Sequence, residues 1–331
     1  MYAIKNPLDD YLKYPKYRES KIKEPPINIL SNLEKSLDHF NSLGQNETKN
    51  YHWRGTEVIE HLYHNYLFDK YGVKCRLNYK KLKELDIKQN KINATSDLLR
   101  HSLYFTYGIK LKLYKFKNAF EEEQSEIFYK QYLDVLSESI VNCLLLNKNK
   151  ILPFIVELGG LAHANLIIFR TNTFVAEVFE PHGQEYRGLA NRKITEIKTR
   201  YSELLQSIND KLSKKGKQNY KLLQSHDTCP QLQGLQSLEG RVRNKKKRSE
   251  GAGYCQLWSS FIAEMALINP NLTLKEIISS ILKYKQENEI SDFLLKVARG
   301  MTEYISSKLQ KYYKIIFNYN MKLHDIIQKP R

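Results

Sequence analysis

At 331 residues with 41% hydrophobic side chains, the chain is long enough to bury a full core, and its 27% charged content excludes wholesale disorder. A formal net charge of +17 favours anionic partners: nucleic acid, polyphosphate, an acidic lipid surface or an acidic protein face. Four cysteines (Cys75, Cys143, Cys229 and Cys255) lie far apart with no CxxC pair. That spacing argues against a structural zinc site or a disulfide framework and predicts a reducing intracellular compartment.

The polar start MYAIKNPLDD lacks the apolar centre of a secretory signal, and no run reaches the roughly 18 apolar residues of a membrane span, so no transmembrane segment is expected. Residues 1–26 are rich in Lys and Tyr, end at Pro25-Pro26, and read as an irregular arm. From 27 to 150 the pattern is mainly helical. Leu30, Leu33, Leu37 and Phe40 recur at three- and four-residue steps, as do Ile59, Leu62 and Tyr66. His61 and His64 follow Glu57 and Glu60 there. With no further ligands in sight they read as an amphipathic surface helix rather than a metal site. A helix is predicted over 121–146, with acids in its first turn and NKNK as its stop.

The texture changes at Ile151. ILPFIVEL (151–158), ANLIIFR (164–170) and FVAEVFE (174–180) are short runs rich in Ile, Val and Phe, parted by Gly159-Gly160 and Thr171-Asn172-Thr173, and they predict a hairpin-like sheet core. A helix over 192–212 and a strand over 220–226 follow. After a Gly- and Lys-rich loop, a helix runs from Tyr254 to Ile268 and stops at Asn269-Pro270. Helices over 273–286 and 290–326 complete the chain, and no internal repeat is visible. The aromatic residues of the last helix (Tyr304, Tyr312, Tyr313, Phe317, Tyr319) sit at helical spacing, which fits core and surface packing better than a base-stacking platform. The fold class read from this pattern is α+β: a helical region over 27–150, a mixed domain over 151–331, and a helical C-terminal tail.

Cys255 follows Gly251-Ala252-Gly253-Tyr254 and opens an apolar helix, where the helix dipole and free backbone N–H groups favour a thiolate. His163 stands before one strand and Glu180 at the end of the next, 17 positions on. If 164–179 form a tight hairpin, both return to one sheet edge, where a carboxylate can hold one ring nitrogen and leave the other to a thiol. His182 is a weaker alternative partner. Gln236, in CPQLQGLQ, is a candidate oxyanion donor, with Gln231 and Gln233 as competitors. Each residue alone has a commoner explanation, packing for the cysteine and a satisfied side chain for the others. Their joint order is what points to nucleophilic catalysis.

The order His163, Glu180, Gln236, Cys255, in the wording HANLIIF, FEPHG, CPQLQGLQ and GYCQLWSSF, resembles the clan CE cysteine peptidases, which include adenain and the proteases specific for SUMO and other ubiquitin-like proteins. It looks especially like a divergent branch found in large DNA viruses and intracellular bacteria. The resemblance covers about residues 151–271. It implies a papain-like or adenain-like core, a small mixed sheet flanked by helices, with Cys255 as nucleophile, His163 as base, Glu180 as orienting acid and Gln236 as oxyanion donor. The commoner pattern has Trp after the histidine, Asp as third member and Asp-Cys-Gly at the nucleophile. This chain has Ala164, Glu180 and Tyr254-Cys255-Gln256, and 19 positions separate Gln236 from Cys255 where the family usually has a few.

The function expected is a thiol-dependent peptidase or isopeptidase acting on a ubiquitin-like modifier or a viral or host protein, with no metal or organic cofactor. As an effector or viral protein it would act in host cytoplasm or nucleus. One alternative is an acetyltransferase of the YopJ type, which shares the nucleophile and uses Glu as third member. Another is an inactive basic module that binds nucleic acid or acidic proteins. The inserted loop before Cys255 carries Arg241, Arg243, Lys245, Lys246, Lys247 and Arg248, six positive charges in eight residues. It reads as a solvated charge run, a localisation signal, or a patch that steers an acidic ubiquitin-like partner, nucleic acid or polyphosphate toward the cleft.

Overall fold

The computed structural model describes residues 33–46, 63–64, 66–68, 70–75, 77, 81–82, 108–112, 119–159, 163–184, 191–245 and 254–312. The N-terminal arm, Leu30, Ile59, His61, Leu62, Lys246, Lys247, Arg248, Tyr313, Phe317 and Tyr319 lie outside these residues.

The chain is α+β. Its centre is a five-stranded mixed sheet of β1 (Gly108–Lys112), β2 (Ile151–Gly159), β3 (His163–Arg170), β4 (Val175–Phe179) and β5 (Lys221–Leu223), paired in chain order. β2, β3 and β4 form an antiparallel meander, and the turn between β3 and β4 returns through Phe174 at φ 54, whose N–H donates to Arg170 O at 2.9 Å. The outer strands pair in parallel, β1 with β2 and β4 with β5. Parallel neighbours need a crossover, and two long helices supply it: α2 (Ala119–Leu146) between β1 and β2, and α3 (Asn191–Lys214) between β4 and β5. The edge strand β1 corrects the mainly helical reading of 27–150. Its five residues, GIKLK, are too short for a periodicity to register.

β3 reads as one apolar run because both of its faces are covered. Ala164, Leu166 and Ile168 face a core made with α1 (Leu33–Leu43), α6 (Tyr254–Ile268), α7 (Leu274–Lys283) and α8 (Ile290–Tyr312). Ile167 and Phe169 face a second core, in which Leu136 and Ile140 of α2 and Ile197, Tyr201 and Ile208 of α3 cover the opposite side. α7 starts at a capping box: the Thr273 hydroxyl accepts from Glu276 N–H at 3.2 Å and the Glu276 carboxylate accepts from Thr273 N–H at 2.7 Å. α1 and α8 cross with their backbones touching, through Gly44 just beyond α1 and Gly300 within α8.

Residue 150 does not part the core. Leu37, Phe40, Tyr63 and Leu67 share one cluster with Trp258 and Leu294, and Phe68 and Leu82 share the other with Phe154. Two expectations are corrected in this region. His64 is fully buried, not on a surface helix: its Nε2–H donates to Pro153 O at 2.9 Å and its ring packs 4.9 Å from Phe68. Cys75 and Cys143 form a disulfide across a sequence separation of 68, so the scattered spacing hid a pair that the fold brings together. The basic stretch before Cys255 is also not all loop. Short helix α4 (Ser225–Thr228) is followed by α5 (Leu235–Lys245), which carries Arg241, Arg243 and Lys245 as helical residues. Leu235, Leu238 and Val242 repeat at helical steps, and α5 packs on α8.

Candidate functional site

β3 begins at His163, and β4 ends one residue before Glu180, so the hairpin delivers both side chains to the same end of the sheet. His163 Nε2–H donates to Glu180 Oε1 at 2.8 Å and Oε2 at 3.0 Å. Glu180 is wholly buried, and the His163 side chain is 11% exposed. Cys255, the second residue of α6 and 4% exposed, completes the set through a side-chain hydrogen bond with His163. With Nε2 held by the carboxylate, Nδ1 is the nitrogen left to the thiol.

Burial alone would lower the His163 pKa. The buried charge of Glu180, with hydrogen bonds to Cys255 and Glu180, overrides it and holds the imidazole up at about 10. The ring is therefore an imidazolium at neutral pH, poised between a carboxylate and a sulfur. The remaining free thiol, Cys229, behaves differently: burial pushes it up, a backbone hydrogen bond from Gln231 opposes this, and the charge of Glu180 adds to the rise. Of the two free cysteines only Cys255 has a base bonded to it.

The turn after Glu180 is clasped by the segment ahead of α5. Gly234 N–H donates to His182 O at 2.7 Å, Gln184 N–H to Leu232 O at 3.1 Å and Gln236 N–H to Pro181 O at 3.0 Å. A Cβ on Gly183 or Gly234 would run into the other strand of this clasp at 2.3–2.4 Å, so both must be glycine. Gln236 is buried against this turn, with its side-chain Oε1 unpartnered. Gln231 instead donates to Gln233 O at 2.9 Å within the loop.

His182 does not replace Glu180; it supports it. Its backbone N–H donates to Glu180 Oε1 at 2.9 Å, and its ring lies 5.2 Å from the His163 ring. Ser237 Oγ holds His182 twice, donating to its carbonyl at 3.0 Å and accepting from Nδ1 at 3.1 Å. Ser237 escaped the sequence reading, because a serine in the first turn of a helix carries no signal of a partner 55 residues away. Of the basic stretch, backbone alone is described for Arg241, Arg243 and Lys245.

A buried thiol, imidazole and carboxylate, joined in that order at the end of a mixed sheet, can relay a proton away from sulfur. No family model matches the chain. A protein of Acanthamoeba polyphaga mimivirus, described as an ankyrin repeat protein, is 25% identical over 256 residues, covering 70% of this chain and 32% of its own length. The chain therefore spans about a third of that relative. No helix among the described residues is long and apolar enough to cross a membrane.

Proposed function

We propose that the chain is a thiol acyl-transfer enzyme, a cysteine peptidase or isopeptidase with a papain-like core of the clan CE type, acting on a ubiquitin-like modifier or another protein. The observation that carries this reading is the bonded series Cys255, His163, Glu180. Cys255, its proton already held by His163 as the imidazolium, attacks a carbonyl carbon. The ring returns that proton to the leaving amine, and water then releases the acyl group from sulfur. The N–H groups of the first turn of α6, which have no partner within the helix, and the Gln236 amide would hold the oxyanion. A chain of +17 charge favours acidic protein substrates. The mimivirus relative adds support for a protein partner, since repeat arrays are protein-binding surfaces, whereas the sheet of this chain is not a stack of repeats.

The test is covalent capture by ubiquitin and SUMO probes that carry an electrophile at their C-terminus. Wild type is expected to form an adduct and Cys255→Ala none; silence with every probe removes the deconjugating reading. The Glu in the third position favours one second reading, acetyl transfer by the same cysteine. Incubation with acetyl-CoA separates the two, because only a transferase would yield a Cys255-dependent acetyl adduct.

A further inference from the structure

Asn165 lies two residues along β3 from His163 and is wholly buried, yet neither its Oδ1 nor its Nδ2 reaches a hydrogen-bond partner. An unpaired amide inside a sheet is a costly choice where an aliphatic side chain would fit. The strand register says what lies beside it. β3 and β4 pair as Ile167 with Val178 and Leu166 with Phe179, so the next rung sets Asn165 opposite Glu180. Residues of this parity, Ile167, Phe169, Ala176 and Val178, share one face of the sheet. Directly opposite on β2 is Val156, which offers no polar group.

Glu180 has an opening on the same side. Its Oε1 accepts from His163 and from His182 N–H, whereas among the described residues its Oε2 accepts only the shared His163 proton at 3.0 Å. A carboxylate oxygen has room for two donors. Cross-strand neighbours stand about 5 Å apart at Cβ, a span that one water can bridge with an amide on one side and a carboxylate on the other.

We infer that Asn165 is a positioning residue for Glu180, holding Oε2 through a bridging buried water. This rests on the thiol acyl-transfer reading and deepens it. The bridge supplies the carboxylate's outer hydrogen bond and stops it turning away from His163, which in turn keeps the imidazolium beside Cys255. The titratable groups that bear on this carboxylate are His163, with the Cys255 thiol behind it, and Cys229; the His182 ring lies 5.2 Å from the His163 ring, tilted by 31°.

The test needs no substrate. Alkylation of Cys255 by iodoacetamide is followed across pH by peptide mass spectrometry on the full chain, beside thermal unfolding. Asn165→Leu should stay folded with a melting temperature close to wild type, because its added apolar burial offsets the lost water bridge. Its Cys255 alkylation near neutral pH should nevertheless slow roughly tenfold, with the pH midpoint raised by about one unit. Asn165→Ser, which keeps a hydroxyl and leaves room for water, should stay within about threefold of wild type. A wild-type rate and midpoint in Asn165→Leu overturns the inference, and so does equal slowing in both variants. His163→Ala and Glu180→Gln separate the two levels of the argument. If neither changes the Cys255 profile, the acyl-transfer reading fails and takes this inference with it. If both change it while Asn165→Leu does not, the Asn165 inference alone fails.

Discussion

Two buried histidines are pushed in opposite directions by their surroundings. Around His64 nothing opposes burial except the Pro153 carbonyl, and its pKa falls from 6.5 to about 4. Burial also disfavours a charged His163, but Glu180 and Cys255 override it and the value rises to about 10. The stability of the fold should therefore pass through a maximum near neutral pH. Below about 6.5 the unfolded chain takes a proton that buried His64 refuses, so stability drops as pH falls toward about 4. The stabilisation from charged His163 is complete below about 6.5 and drains away as pH rises through about 10. Denaturant unfolding across this range should show both limbs. Glu180→Gln should flatten the alkaline limb, and a His64→Phe variant the acid one. An alkaline limb unchanged in Glu180→Gln would contradict the pairing. At this scale Cys255, His163 and Glu180 were legible because their residue types and order imply a chemistry. Asn165, Ser237 and buried His64 were not, since each acquires meaning only from a neighbour on another element.

Among the elements, α1 and α8 cross with their backbones in close approach. A Cβ at Gly300 would stand 1.8 Å from Phe40 O, and one at Gly44 would stand 1.9 Å from Lys296 O. Both oxygens belong to the backbone, so nothing can swing aside. Gly300→Ala should force the helices apart and destabilise the chain by about 3 kcal/mol, measured by denaturant unfolding, despite alanine's better helix propensity. A neutral or stabilising result would mean that α1 docks less closely than described. Such glycines look dispensable in a sequence, because propensity speaks of one helix and not of the helix lying across it. The meander β2–β3–β4 and helix α6 were readable from apolar runs and their breaks. β1 was not, since a five-residue edge strand is recognised by its partner β2 rather than by its own pattern. The start of the basic stretch reads as loop in the sequence because its charges outweigh the sparse apolar residues, of which Leu235 and Leu238 of α5 join the core that α8 shares.

Over the whole molecule, one buried carboxylate fastens the N-terminal half to the nucleophile-bearing half. Buried Glu264, on the same helix as Cys255, accepts from Tyr63 Oη, from Lys70 Nζ at 2.9 Å and from Tyr71 Oη at 3.0 Å. The Cys75–Cys143 disulfide closes a loop of 68 residues, for which chain entropy gives about 4 kcal/mol of stabilisation. Reduction, or a Cys75→Ser and Cys143→Ser double variant, should lower unfolding stability by that order. The Cys255–His163–Glu180 geometry sits elsewhere and should survive, so Cys255 alkylation at neutral pH should hold; its loss on reduction would show that the two halves are coupled.

The sequence by itself determined the class of the fold, the three central strands, the helix that starts at Cys255, and the chemical types of the groups brought to the sheet end. Those are written in local periodicity, in breaker residues and in chain order. Only the tertiary structure decided that Leu37, Phe40, Tyr63 and Leu67 join the core of the later segments, that Cys75 meets Cys143, that Gly44 and Gly300 must stay bare, and that an unpaired Asn165 lies beside Glu180. Each of these is a relation between segments far apart in the chain. Close packing and the scarcity of partners for buried polar groups settle such relations, and neither is a property of any single stretch of residues.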